Sequence, residues 1–312
     1  MQYKNLGQTG LRVSVVGLGC SDIGSRSDAA KAKEIVAAAL DADINFFDTA
    51  DMYGRGSSEE YLGSALKGVP RQDVVIATKF GMPMGKGELM RGASRRYIYH
   101  AVEESLKRLG TDYIDLYQLH WSDASTPIEE TLAALDDLVV AGKVRYIGSS
   151  NFTGWQIADA DWIATTKRAN RFVTAQNPYS LLHRNIEREV VPACQRFGLG
   201  ILPYFPLASG MLTGKYSRGE SPPDGTRLAW WSDRAAAEIS DHNFDIIESL
   251  TQFARQRDHS LLDVAMSWLA NLPYISSVIA GATSPGQVKA NAAAAGWQLT
   301  QEEMREIATI GS

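Results

Sequence analysis

Short apolar runs alternate with helix-length segments along almost the whole chain, and this alternation restricts the fold more than any single motif. The runs VVGLG, INFF, VVIAT, YIDLYQL, VRYIG, FVTA, GILP and SSVI mark eight successive strands, with helical segments between and after them. In the first such segment, 28–42, Ile35, Val36, Ala39 and Leu40 recur at helical spacing. The runs are rich in Val and Ile and apolar on both faces, as strands of a parallel sheet covered on both sides must be. Crossovers of one hand then wind eight β-then-α units into a closed barrel. The expectation is a (β/α)8 TIM barrel, a single α/β domain over residues 1–312. An N-terminal β-hairpin precedes it, with QYKNL and LRVSVV flanking the turn cluster Gly7-Gln8-Thr9-Gly10. The competing architecture is an open doubly wound sheet. It would carry G-x-G-x-x-G after its first strand, and Val16-Gly17-Leu18-Gly19-Cys20-Ser21 does not supply that pattern.

Local signals mark several helix starts. Ser57-Ser58-Glu59-Glu60 and Thr153-Gly154-Trp155-Gln156 read as capping boxes. Thr126-Pro127-Ile128-Glu129 and Ser284-Pro285-Gly286-Gln287 read as N-cap, helix-start proline and N3 partner. One helix is expected over 187–197, and a long irregular stretch over 205–234.

Charge and cysteine content narrow the functional classes. The net charge is −5 with no basic stripe, which argues against nucleic acid and anionic membranes as partners. No apolar run reaches the ~18 residues of a membrane span, and the start MQYKNLGQTGLRVS has no apolar signal core. Cys20 and Cys194 lie far apart, which fits a reducing, cytoplasmic setting rather than a disulfide framework. No His/Cys/Asp cluster has metal-ligand spacing, so no metal is expected.

Three of the strand runs end on polar chemistry. NFFDTADMYG stops on Asp48 and carries Tyr53 five residues later, on a loop rich in Gly and Ser. VVIAT ends on Lys79 and YIDLYQL on His120. Active sites of such barrels lie at the C-terminal ends of the strands, and successive strands are neighbours, so the four side chains converge. Taken singly each has a plainer reading: Asp48 as a turn aspartate, Lys79 as a solvated strand end, His120 as a packed histidine, Tyr53 as a loop anchor. Taken together they suit proton transfer to an oxygen. A phenol with a reference pKa near ~10 needs help to give up its proton. An ammonium ~4 Å away stabilises the phenolate by about 1 kcal/mol in water and about 4 kcal/mol at an effective dielectric of ~20. Asp48 would hold Lys79 charged, and His120 would orient a carbonyl oxygen. No side chain donates hydride, so a nicotinamide cofactor is implied.

The segments DTADMYG, IATKFG, DLYQLHW, VRYIGSSNF, AQNPYS, LASGMLTGKY and GATSPGQVKAN, in this order, make the chain resemble the aldo-keto reductases from hairpin to last helix. The resemblance implies an NADPH- or NADH-dependent oxidoreductase that interconverts an aldehyde or ketone with the alcohol. In it Tyr53 is the proton donor, Lys79 and Asp48 its tuning pair, and His120 the carbonyl-orienting group. Ser150, Asn151 and Gln176 match the positions that bind the nicotinamide carboxamide, and Tyr204 the ring that stacks on it. Leu207, Ser209 and Lys215 match the segment around the pyrophosphate. Gly281, Thr283, Gln287 and Asn291 fall at the adenosine end, where a helix N-terminus also favours phosphate. Gly19 and Cys20 stand at the mouth end of the first strand, beside the cofactor. The family often has Lys or Arg near Thr283 to clamp a 2′-phosphate; here Thr283 and Ser284 are uncharged, and Lys289 is one candidate replacement. Trp121 either walls the substrate pocket or packs, and Trp230 and Trp231 either cap the site or anchor their loop. The alternative to a reductase of small carbonyl compounds is a cofactor-binding regulatory module, like the potassium-channel β subunits.

Overall fold

Strand parity, read two residues at a time, separates the inside of this barrel from its shell. The computed structural model describes residues 1–231, 235 and 238–311. β1 (Tyr3–Asn5) and β2 (Arg12–Ser14) pair antiparallel as the expected hairpin. The parallel strands follow as β3 (Val16–Gly19), β4 (Phe46–Asp48), β5 (Val75–Phe80) and β6 (Ile114–Leu119). β7 (Val144–Ser150), β8 (Phe172–Pro178), β9 (Gly200–Tyr204) and β10 (Val278–Gly281) complete the sheet. Their order is β10-β3-β4-β5-β6-β7-β8-β9. Ile201 closes the last seam: its N–H donates to Tyr274 O at 2.9 Å and its carbonyl accepts from Ser276 N–H at 3.0 Å. The (β/α)8 barrel with its N-terminal hairpin is thus the observed fold.

The outer helices up to the sixth are α1 (Ala29–Asp41), α2 (Ser57–Ala65), α3 (Arg95–Leu109), α4 (Ile128–Val140), α5 (Gly154–Lys167) and α6 (Val190–Phe197). A short α7 (Arg227–Trp230) sits in the long segment after β9, whose residues 232–234 lie outside the described ones. α8 (Asp241–Arg255), α9 (Leu261–Asn271), α10 (Pro285–Ala294) and α11 (Gln301–Ile310) end the chain. Among the described residues no helix is long and apolar enough to cross a membrane.

Two apolar cores result. The larger lies between sheet and helices. The smaller fills the barrel with Phe46, Val75, Ala77, Leu116, Leu202 and Ile279, closed at the bottom by Leu6 and Val13 of the hairpin region. Both plug residues are fully buried, stabilising the fold by roughly 1.5–3 kcal/mol each. Moving two residues on from an interior residue keeps the same face but rises toward the C-terminal mouth. Phe46 thus leads to Asp48, Ala77 to Lys79, and Leu116 to Gln118 and His120.

The local signals held in part. Thr153 and Gln156 form the expected capping box on α5. At α2 the N-cap is Gly56 instead, because Glu59 is drawn away to Arg108 and Thr78. At α4 the N-cap is Pro127, because the Thr126 hydroxyl donates to Asp123. Ser284 caps α10, but Gln287 Oε1 reaches one residue further back, to Thr283 N–H at 2.7 Å. The helix expected over 187–197 is regular only from Val190, after a 3₁₀ turn at Asn185–Arg188. Pro192 has no N–H to continue a helix from Arg188.

Lys4 locks the hairpin to the barrel floor. Its ammonium donates to the carbonyls of Ala270 (2.6 Å), Leu272 (3.0 Å) and Ile275 (3.2 Å). Lys4→Met removes these three charge-assisted bonds and is expected to lower unfolding free energy by about 1–3 kcal/mol in urea titrations.

Candidate active site

The polar layer at the mouth is assembled by register. Asp48 pairs with Ala77 across β4–β5, Lys79 with Gln118 across β5–β6, and Ser150 with Gln176 across β7–β8. Lys79 is fully buried and all its donors are used. It bonds Asp48 Oδ2 at 2.7 Å, Thr49 O at 2.8 Å and Tyr53 Oη at 3.4 Å. The other Asp48 oxygen accepts from Gln176 Nε2 at 2.8 Å and Gln118 Nε2 at 3.4 Å. Gly148 makes room for this network: a Cβ there would lie 2.2 Å from Thr174 Oγ1 and 3.2 Å from Gln118 Cγ.

Tyr53 stands edge-on to the His120 ring, with centroids 5.8 Å apart, and under the Lys79 ammonium. His120 Nδ1 is buried and has no hydrogen-bond partner, and the residue lines the cleft. Asn151 Nδ2 donates to His120 O at 3.0 Å and Ser150 Oγ at 3.1 Å, and Tyr204 Oη donates to Asn151 Oδ1 at 2.6 Å. Ser150 Oγ in turn donates to Gln176 O at 3.0 Å. Ser150, Asn151, Gln176 and Tyr204 are thus tied to one another and to the catalytic candidates.

Electrostatics differ from the sequence expectation in one respect. Burial raises the Tyr53 phenol above its ordinary value, and the opposing pull of Lys79 does not overcome it; Asp48 pushes the same way as burial. The phenol therefore keeps its proton at neutral pH. For Lys79 burial opposes the charge, but Asp48 and Tyr53 outweigh it and hold the ammonium. Burial, then Lys79, depresses His120 to about 3, so its imidazole is neutral. Burial raises the Cys20 thiol, which fits its reading as unreactive.

The other candidate residues line one cleft of about 900 Å3, from Tyr53, His120 and Trp121 to Thr283, Gln287 and Asn291, except Ser284 and the exposed Lys289, which are not part of its lining. Lys79 lies behind Tyr53. Gly19, Cys20, Leu207, Ser209, Lys215 and Gly281 line the middle. Trp121, Trp230 and Trp231 are exposed on its lining. After β9, Phe205, Ala208, Ser209 and Gly210 have positive φ, and Ser209 Oγ is buried without a partner. A cleft of this volume, lined by the polar groups of Ser150, Asn151 and Gln176 and the cations Arg26, Lys215 and Arg227, fits a dinucleotide.

Sequence reasoning named Lys215 but missed the other charges lining this cleft. Arg26, Lys215 and Arg227 line it together with Asp22, which pairs with both arginines. Burial, then Arg26 and Arg227, lower the Lys215 ammonium. Neither arginine sits in a recognisable motif; the only signal was their place in the two mouth loops.

Comparison with known proteins agrees with this geometry. Residues 15–312 match the model of the Aldo/keto reductase family. The chain is 38% identical over 296 residues to a probable voltage-gated potassium channel subunit beta of Oryza sativa subsp. japonica, covering 93% of this chain and 90% of that one. It is 36% identical over 316 residues to the aldo-keto reductase YhdN of Bacillus subtilis (99% and 93%). It is 34% identical over 332 residues to versiconal hemiacetal acetate reductase of Aspergillus parasiticus (98% and 96%). Fold and site define a barrel oxidoreductase. The chain belongs to the aldo/keto reductase family.

Because His120 stays neutral, its ring protons are expected to show no titration between pH 5 and 8 by NMR. A midpoint near the ordinary ~6.5 would contradict the burial described.

Proposed function

We propose that the protein reduces an aldehyde or ketone to the alcohol, reversibly, with Tyr53 as proton donor and NADPH as the preferred cofactor. The observation that carries this reading is the Lys79 ammonium held at once by Asp48 and Tyr53, with His120 across from the phenol. Neutral His120 would donate one hydrogen bond to the substrate carbonyl and hold it against Tyr53. As negative charge develops on that oxygen, the Tyr53 proton moves to it, and Lys79 stabilises the phenolate left behind. The nicotinamide, when bound, supplies hydride to the carbonyl carbon. Ser150, Asn151 and Gln176 would hold its carboxamide, and Tyr204 its ring. Leu207, Ser209 and Lys215 would hold the pyrophosphate, and Gly281, Thr283, Gln287 and Asn291 the adenosine end. Trp121 would wall the substrate end.

The NADPH preference rests on charge. Three cations, Arg26, Lys215 and Arg227, line the cleft with Asp22, which pairs with both arginines, and Asp224. Arg227 lies over Gly281, its guanidinium 3.8 Å from where a Cβ would stand. It would supply to the adenosine end the charge that the local sequence lacks. The second reading, a regulatory binding module, is favoured by the likeness to potassium-channel β subunits; tight cofactor binding with no turnover on a carbonyl panel would select it.

Tyr53→Phe is expected to lower steady-state carbonyl reduction by about 10²–10⁴-fold, the range of general acid catalysis, with cofactor affinity nearly unchanged. Activity near wild type would sink the proton-donor role. Arg227→Leu is expected to weaken NADPH use more than NADH use; equal or better turnover of the wild type with NADH at matched concentrations would overturn the NADPH preference.

A further inference from the structure

Behind the Tyr53 loop lies a polar pocket that the proposed reaction does not use. Asp51 is 1% exposed, and neither of its carboxylate oxygens has a side-chain hydrogen-bond partner; only the Met52 N–H of its own turn pulls on them. Its N–H donates to Lys79 O at 3.0 Å, which pins it to β5. The groups acting on its carboxyl are Glu59 from α2, Arg108 from α3 and Lys79 from β5, and it acts in turn on the hydroxyls of Tyr97 (α3) and Tyr117 (β6). Both cations are committed elsewhere. Arg108 Nε donates to Glu59 Oε2 at 2.7 Å, while Lys79 is held by Asp48. Glu59 is fully buried, and its other oxygen accepts from Thr78 at 2.6 Å. Two buried carboxyls thus share one arginine. An unpaired buried carboxylate is strongly disfavoured, so Asp51 carries the proton.

The turn that contains Asp51 also carries Tyr53, whose N–H donates to Ala50 O at 3.2 Å. It continues through three left-handed residues, Gly54 (φ 56), Arg55 (φ 55) and Gly56 (φ 98). For Arg55 that conformation costs roughly 1–2 kcal/mol. Such a turn persists only where its surroundings hold it. A Cβ on Gly56 would lie 2.8 Å from Arg108 Cδ, so the same arginine abuts both ends of the turn's anchorage.

We propose that Asp51 is a positioning residue for Tyr53: neutral, it lets the 50–56 turn stay packed against α2 and α3, and on losing its proton it becomes a buried unpaired charge that loosens the turn and misplaces the phenol. The inference rests on Tyr53 being the proton donor. Burial, then Glu59, push the Asp51 carboxyl up to about 8, against the weaker pull of Arg108, the Met52 N–H and Lys79. The lock is therefore closed at neutral pH and opens as pH rises through that value. Tyr53 stands above its ordinary ~10 and His120 near 3, so neither supplies a transition in this range.

The test measures kcat from pH 6 to 10 and amide exchange of segment 49–57, corrected for intrinsic rates, in wild type, Asp51→Asn and Glu59→Gln. In the wild type kcat is expected to fall about tenfold or more on the alkaline side, the scale of a small misplacement of a reacting group, and 49–57 to lose protection over the same range. Asp51→Asn mimics the neutral acid and should keep both flat to pH 9.5. Glu59→Gln removes the charge that raises Asp51, so its transition should move to lower pH. Asp51→Asn retaining the wild-type fall, or wild-type exchange that ignores pH, overturns the proposal. If Asp51→Asn does not fold, an unmoved or upward-moved transition in Glu59→Gln overturns it. Full activity of Tyr53→Phe would instead sink the proton-donor reading, while amide exchange still judges the lock.

Discussion

One buried ammonium governs the mouth of this barrel. Removing Lys79 from water costs several kcal/mol, and only good geometry with every proton bonded offsets that. Asp48, Thr49 O and Tyr53 take the three protons, and Gln118 and Gln176 satisfy the remaining carboxylate oxygen. Deleting one member would strand a buried charge, at about 3–5 kcal/mol. The pair is thus a clamp on five neighbouring segments.

The rest of the architecture serves that clamp. The apolar interior of Phe46, Ala77, Leu116 and Leu202 excludes water from below, and the hairpin residues Leu6 and Val13 seal it. In such surroundings each electrostatic contact acts through a lower effective dielectric than in water. The loops above do the opposite work: they bring aromatic rings and cations to the cleft. A rigid, dry floor with an adaptable rim suits one reaction on varied substrates.

Much of this was legible in the chain itself. Asp48, Lys79 and His120 could be found because a period of two carries each interior strand position to the mouth, and connectivity makes the three strands neighbours. Thr153 and Gln156 cap their helix as written, since nothing nearby competes for them. Glu59 and Thr126 do not, since Arg108, Thr78 and Asp123 outbid the helix ends. Arg227 was invisible as a site residue because its partner Asp22 lies 205 positions away.

The order of strands, the N-terminal hairpin and the placing of Asp48, Lys79 and His120 at the mouth follow from the sequence alone, because they depend on local periodicity and chain connectivity. The proton affinities of Tyr53 and Asp51 were decided only in three dimensions. Lys79 beside a tyrosine suggests an acidic phenol, yet burial wins and the phenol is raised. Asp51 looks like an ordinary acidic loop residue until Glu59 is found to hold the arginine it would need. Desolvation and the sharing of counter-charges depend on everything packed around a group, and that is set by contacts among residues distant in the chain.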